Sequence, residues 1–127
     1  MKPKKASKQL PPMELAIMQV LWKRGPSSVQ AVRAQLTGDP AYTTVQTILN
    51  TMEKKGRTKR TLEGRAYIYR ASLSREMATG SAIKDFVERM FGGSVEGLLM
   101  SLVKTDQVDA ATLKRLERAI AKRGDEG

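Results

Sequence analysis

Residues 42–70 read YTTVQTILNTMEKKGRTKRTLEGRAYIYR, and the change of period inside this stretch decides the fold. From Tyr42 to about Lys55 the apolar residues Val45, Ile48, Leu49 and Met52 recur at helical spacing, and Gly56 supplies a C-terminal stop. Thr43, with Gln46 three residues on, has the form of a capping box at the helix start. From residue 59 to residue 70 the period falls to two. Residues 59–62 and 65–70 alternate around a Glu63-Gly64 turn, which predicts a β-hairpin carrying tyrosines and arginines.

Toward the N-terminus, Leu10-Pro11-Pro12 with Glu14 close behind opens a helix over residues 13–23. Ile17, Met18, Leu21 and Trp22 form its apolar face and Gly25-Pro26 ends it. Ser27-Ser28 offers an N-cap to a second short helix in which Val29, Val32 and Leu36 recur at i, i+3 and i+7. Gly38-Asp39-Pro40 closes that element. Three helices followed by a hairpin is the arrangement of a winged helix-turn-helix, so the expected fold is mostly α with a small β-hairpin. The winged helix-turn-helix DNA-binding domain is expected over residues 10–72. Residues 1–9, MKPKKASKQ, are read as a flexible basic arm, either a solvated tail or a segment that reaches into a minor groove.

Toward the C-terminus the pattern returns to helix. Ser74 caps a segment extending to about Phe91, in which Met77, Ile83, Val87, Met90 and Phe91 are apolar, and Gly92-Gly93 breaks it. A shorter helix from residue 94 or 95 to 104 carries Leu98, Leu99, Leu102 and Val103. Asp109 caps a last helix with Leu113, Leu116 and Ile120 in register, and residues 124–127 trail off as a tail. About 55 residues of amphipathic helix leave apolar faces that they do not cover by themselves. Residues 73–127 are therefore read as a helical dimerisation region built from Ile83, Val87, Met90, Phe91, Leu98, Leu99, Leu102, Leu113, Leu116 and Ile120.

The charge is distributed unevenly along the 127 residues. Residues 1–72 hold 14 Lys and Arg against 4 Asp and Glu, whereas residues 73–127 hold nine of each sign, so the entire net charge of +10 is N-terminal. One part is thus suited to a polyanion while the other does something else. In a helix-turn-helix the second helix of the pair enters the major groove, here the helix beginning near Tyr42. The face opposite its apolar stripe presents Thr43, Thr47, Asn50 and Lys54, flanked by Gln46 and Thr51. Gln46 and Asn50 can pair bidentately with adenine, and Thr43, Thr44 and Thr47 can hydrogen-bond to bases or pack on a thymine methyl. Lys54, Lys55, Lys59 and Arg60 are placed to neutralise phosphates, with Arg65 and Tyr67 on the wing. Thr is a poor helix former, so four of them between positions 43 and 51 are an odd choice for a merely solvated surface.

The chain contains neither His nor Cys, which excludes thiol nucleophiles, imidazole bases, zinc fingers, iron–sulfur sites and disulfides. Its carboxylates are scattered over helix faces with no paired general acid and base, so no enzyme, catalytic residue, metal or cofactor is expected. The longest apolar stretch, residues 98–103, falls well short of the roughly 20 residues of a membrane span, and residues 1–8 lack the apolar run of a signal peptide. A cytoplasmic protein without direct membrane insertion is expected. Two other readings share the charge: a nonspecific nucleoid-type DNA coater, and a winged-helix protein-interaction module.

The string Leu10-Pro-Pro-Met-Glu-Leu with Ile17-Met18 and Val20-Leu21-Trp22, the Tyr42-Thr-Thr-Val segment, Glu53-Lys-Lys-Gly56 and Gly64-Arg-Ala-Tyr-Ile-Tyr-Arg70 together resemble the penicillinase-repressor (BlaI/MecI) family of bacterial transcriptional regulators. The resemblance covers about residues 10–105. It implies a homodimeric winged-helix repressor that binds dyad operators in promoters, cytoplasmic and nucleoid-associated when on DNA. Thr43, Thr44, Gln46 and Thr47 fall where that family's recognition helix reads bases, and Arg65 and Tyr67 fall on its wing. This sequence departs from the pattern at Arg57-Thr58, where the family is apolar, so the first wing strand is expected to pack less well or lie closer to DNA. The cysteine motif of copper-responsive relatives is missing. In the β-lactam-responsive branch a membrane-bound sensor protease cuts an Asn-Phe bond, and the equivalent position here is Ser101-Leu102.

Overall fold

The computed structural model describes residues 9–126, so the basic arm, apart from Gln9, lies outside the described residues. The elements run α1 (Pro12–Arg24), β1 (Ser27–Ser28), α2 (Val29–Gln35), α3 (Tyr42–Lys54), β2 (Thr58–Glu63), β3 (Ala66–Ala71), α4 (Arg75–Phe91), α5 (Val95–Lys104) and α6 (Ala110–Glu126). They form two compact units, one of residues up to Ile83 and one from Lys84 onward. The division falls inside α4, beyond the boundary near residue 73 that the change of pattern suggested.

The first unit is a winged helix. Ile17, Met18 and Leu21 of α1, Val29 and Val32 of α2, Val45, Leu49 and Met52 of α3 and Tyr69 of β3 make one buried cluster, as the helical spacing required. Pro12 occupies the first turn of α1, Ser28 caps α2 by accepting from the Ala31 N–H at 3.1 Å, and Arg33 closes the turn into α3 by donating to the Pro40 carbonyl at 2.7 Å. The Trp22 indole N–H reaches the Leu73 carbonyl at 2.8 Å, so the end of the wing is tied back to α1.

Several local expectations are corrected. Thr43 and Gln46 form no capping box: the chain enters from Pro40 with Ala41 as N-cap and no side-chain cap, which puts Thr43 already inside the helix. The wing is a three-stranded antiparallel sheet in the order β1-β3-β2, because Ser27 and Ser28 pair with Tyr69 and Ile68. Glu63 pairs with Ala66, so the hairpin turn is Gly64-Arg65, not Glu63-Gly64. Gly64 takes its first position at φ 65°, the left-handed region that a two-residue hairpin demands of glycine. Arg57 and Thr58 are buried, not loosely packed: the Arg57 guanidinium meets the Glu14 carboxylate at 2.7 Å and the Thr58 hydroxyl donates to the Leu49 carbonyl at 3.3 Å.

The second unit holds the rest of α4, with α5 and α6. Val87 is buried within it, and the Phe86 and Phe91 rings meet edge to face with centroids 5.8 Å apart. Ser94 caps α5 through the Gly97 N–H at 2.9 Å, and Asp109 caps α6 through the Thr112 N–H at 2.7 Å. That N–H, with the Thr112 hydroxyl, holds the Asp109 carboxyl below its ordinary pKa. Helix α6 continues through Gly124 to Glu126 where a tail was expected, since a glycine near a helix end is tolerated at about 1 kcal/mol.

Candidate nucleic-acid interface

Burial of Val45, Leu49 and Met52 against α1 and α2 turns the opposite side of α3 outward. Thr43, Thr44, Thr47, Thr51 and Lys54 are exposed there, and Gln46 and Asn50 are half-buried at the edge facing the wing. Glu53 is the one acidic residue of this helix, and it is engaged by Arg60, Nε to Oε1 at 3.3 Å. The exposed face therefore carries neutral hydrogen-bonding groups with a cation at its C-terminal end.

Between α3 and the wing lies a cleft of about 310 Å³ lined by Ser28, Gln30, Tyr42, Gln46, Arg65 and Tyr67, among others. Ser28, Gln30 and Tyr42 were not singled out as site residues from the sequence. The pairing of β1 with β3, a backbone contact with no periodic signal, brings Ser28 there. Arg65 stands at the hairpin tip and Tyr67 on the strand leading from it, both exposed.

The expected phosphate ligands fall into two groups. Lys54, Lys59 and Arg65 are exposed and hold no ion pair among the described residues. Lys55, although exposed, pairs with Glu14 at 3.0 Å, and Arg60 is enclosed by several partners. Its Nη1 donates to Asn50 Oδ1 at 3.2 Å and its guanidinium carbon lies 4.2 Å from the Tyr67 ring centroid. The Tyr69 hydroxyl, and after it the Glu53 carboxylate, raise the Arg60 guanidinium above its ordinary pKa. Asn50 Oδ1 also accepts from the Tyr69 hydroxyl, so only its amide nitrogen remains to be offered outward.

Of the residues expected at a dimer interface, Ile83, Met90, Leu99, Leu113, Leu116 and Ile120 are exposed, and Phe91, Leu98 and Leu102 are half-buried. Val87 is buried. Ser101 and Leu102 lie within α5, both half-buried. Among the described residues no group of His, Cys, Asp or Glu could hold a metal ion, and no helix is long and apolar enough to cross a membrane.

A helix-turn-helix with an adjoining three-stranded wing and a basic outer face defines the winged-helix class of regulators. The chain belongs to the penicillinase repressor family, whose model matches residues 10–122. The penicillinase repressor of Bacillus licheniformis is 24% identical over 110 residues, 85% of this chain and 86% of that protein. The transcriptional regulator BlaI of Mycobacterium tuberculosis is 32% identical over 113 residues, 86% of this chain and 80% of that protein. Among solved structures, a transcriptional regulator from Thermotoga maritima shares the fold with a TM-score of 0.50 and 21% identity, over 91% of this chain and 75% of that one. The protein is thus a winged-helix transcriptional regulator of a family of repressors, not an enzyme.

Proposed function

We propose that the protein is a cytoplasmic homodimeric repressor that blocks transcription by occupying a dyad-symmetric operator, one winged helix on each half-site. The observation that carries this reading is the Thr43, Thr44, Gln46 and Thr47 face of α3, turned outward and free of exposed carboxylate. Those side chains, with the Asn50 amide, read base edges while Lys54, Lys55, Lys59, Arg65 and Tyr67 bind and align the phosphate backbone. Two-fold symmetry sets half-sites one DNA turn or a multiple apart, roughly 10 bp per turn. The C-terminal helices supply the dimer.

Titration onto duplex from the gene's own upstream region and onto scrambled duplex, at about 150 mM salt, tests this reading, because nonspecific binding is typically only micromolar or weaker there. A preference of about a thousandfold or more, saturating at two chains per site, is the expected result. Equal binding to both would mark a nonspecific DNA coater, and no binding to either would mark a protein-interaction module.

Gln46→Ala should lose about 1–3 kcal/mol on operator and relax base preference at one position. Equal losses on operator and random DNA would remove Gln46 from base reading. Lys54→Ala should weaken all sequences alike and flatten the salt slope by about one unit.

Release by a membrane-bound protease would require α5 to open around the Ser101-Leu102 bond, since a bond inside a hydrogen-bonded helix does not fit a protease cleft. A full-length chain on immunoblots of induced cells would remove proteolysis as the signal.

A further inference from the structure

We propose that Arg60 is a positioning residue that tethers the wing to the recognition helix, not a phosphate ligand; this rests on the DNA-binding reading above. Its partners come from both sides of the junction. From α3, the two Glu53 oxygens take the Arg60 guanidinium Nε at 3.3 Å and the Arg60 backbone N–H at 3.3 Å, and Asn50 Oδ1 takes Nη1 at 3.2 Å. From β3, Tyr67 lies under the guanidinium plane, and the buried Tyr69 places its hydroxyl on the same Asn50 oxygen. Asn50 and Glu53 are three residues apart on one helix face, and Arg60 stands opposite Tyr69 across the β-ladder, so one side chain joins three elements.

A bidentate phosphate contact would need two adjacent guanidinium N–H groups turned to solvent, whereas here Nε is directed at a carboxylate and Nη1 at an amide oxygen. Lysine could replace a phosphate ligand as a point charge, but it cannot reproduce this planar, forked and stacked arrangement. Without the tether the order of the wing has to be supplied at the moment of binding, which weakens the complex without removing a counterion-releasing contact. Arg65 and Tyr67, carried on the hairpin beyond Arg60, are the groups whose placement depends on it.

Arg60→Lys and Glu53→Gln, compared with the unsubstituted protein, separate the roles. Amide hydrogen exchange in residues 59–67 of the free protein should quicken in both variants while the α1 and α3 core amides keep their protection. On operator, Arg60→Lys should bind roughly tenfold more weakly with the salt slope unchanged. Operator binding by Arg60→Lys at full strength, a slope reduced by about one unit in Arg60→Ala, or unaltered wing exchange in both variants would each overturn the tether. If the unsubstituted protein does not distinguish operator from scrambled DNA, the reading of function is what fails, and the exchange measurement alone decides whether Arg60 holds the wing.

Discussion

Glu14→Ala is expected to lower the folding free energy by about 3–5 kcal/mol. Glu14 sits in the first turn of α1 at 7% exposure, and its carboxylate faces Arg57, itself 8% exposed, at 2.7 Å. Removing the anion leaves a guanidinium buried in a wall it cannot readily leave. The Arg57 backbone is fixed on both sides, its N–H donating to the Met52 carbonyl and its own carbonyl accepting from the Ser72 and Leu73 N–H groups. Lys55 adds little to the loss, since at 38% side-chain exposure its pair with Glu14 falls in the range of about 0–1 kcal/mol found for exposed pairs. Urea unfolding at neutral pH measures the effect. The double variant Glu14→Leu, Arg57→Met should recover most of it, because an apolar pair of similar volume has no desolvation cost to offset. A single Glu14→Ala loss below about 1 kcal/mol would mean that the pair is solvated and that α1 is not pinned to the base of the wing through it.

That pair also illustrates what a linear reading reaches. The helices were legible wherever burial follows periodicity: Val45, Leu49 and Met52 point inward because the spacing leaves them no other option, and Ser28, Ser74 and Asp109 cap the helices that follow them. The outward face of α3 followed from the same geometry. The reading stopped where a residue's environment depends on a partner far away in sequence. Arg57 suggested a loosely packed first wing strand or one closer to DNA, because the carboxylate it meets on burial lies 43 residues earlier. Arg60 and Asn50 looked like independent DNA ligands because their meeting depends on the hairpin register: once Glu63 paired with Ala66 the turn moved by one residue, and the residue opposite Arg60 became Tyr69 instead of Tyr67. Strand β1 is two serines long and is defined by its partner's backbone, so no pattern of side chains could announce it.

Leu116→Asp should turn the protein into a monomer and weaken operator binding by about 10²–10⁴-fold, while leaving affinity for an isolated half-site unchanged. Leu113, Leu116 and Ile120 lie at i, i+3 and i+7 on α6 with exposures of 46%, 43% and 71%, and no residue described in that helix is buried. An apolar stripe of this kind is stable in water only when covered, and a carboxylate at its centre would have to be desolvated without a counterion in any interface that covers it. The proposed second copy covers it with the same stripe, as two-fold symmetry requires. Loss of the dimer makes the second half-site contact bimolecular again, which is where the affinity goes, whereas each winged helix keeps its own contacts because α6 belongs to the other compact unit. Sedimentation equilibrium reads the first effect and titration onto full and half operators reads the second. A dimer that persists in Leu116→Asp at micromolar concentration would place the interface elsewhere on the C-terminal helices. A monomer that still holds the full operator at parental affinity would show that occupancy does not depend on linking two recognition helices.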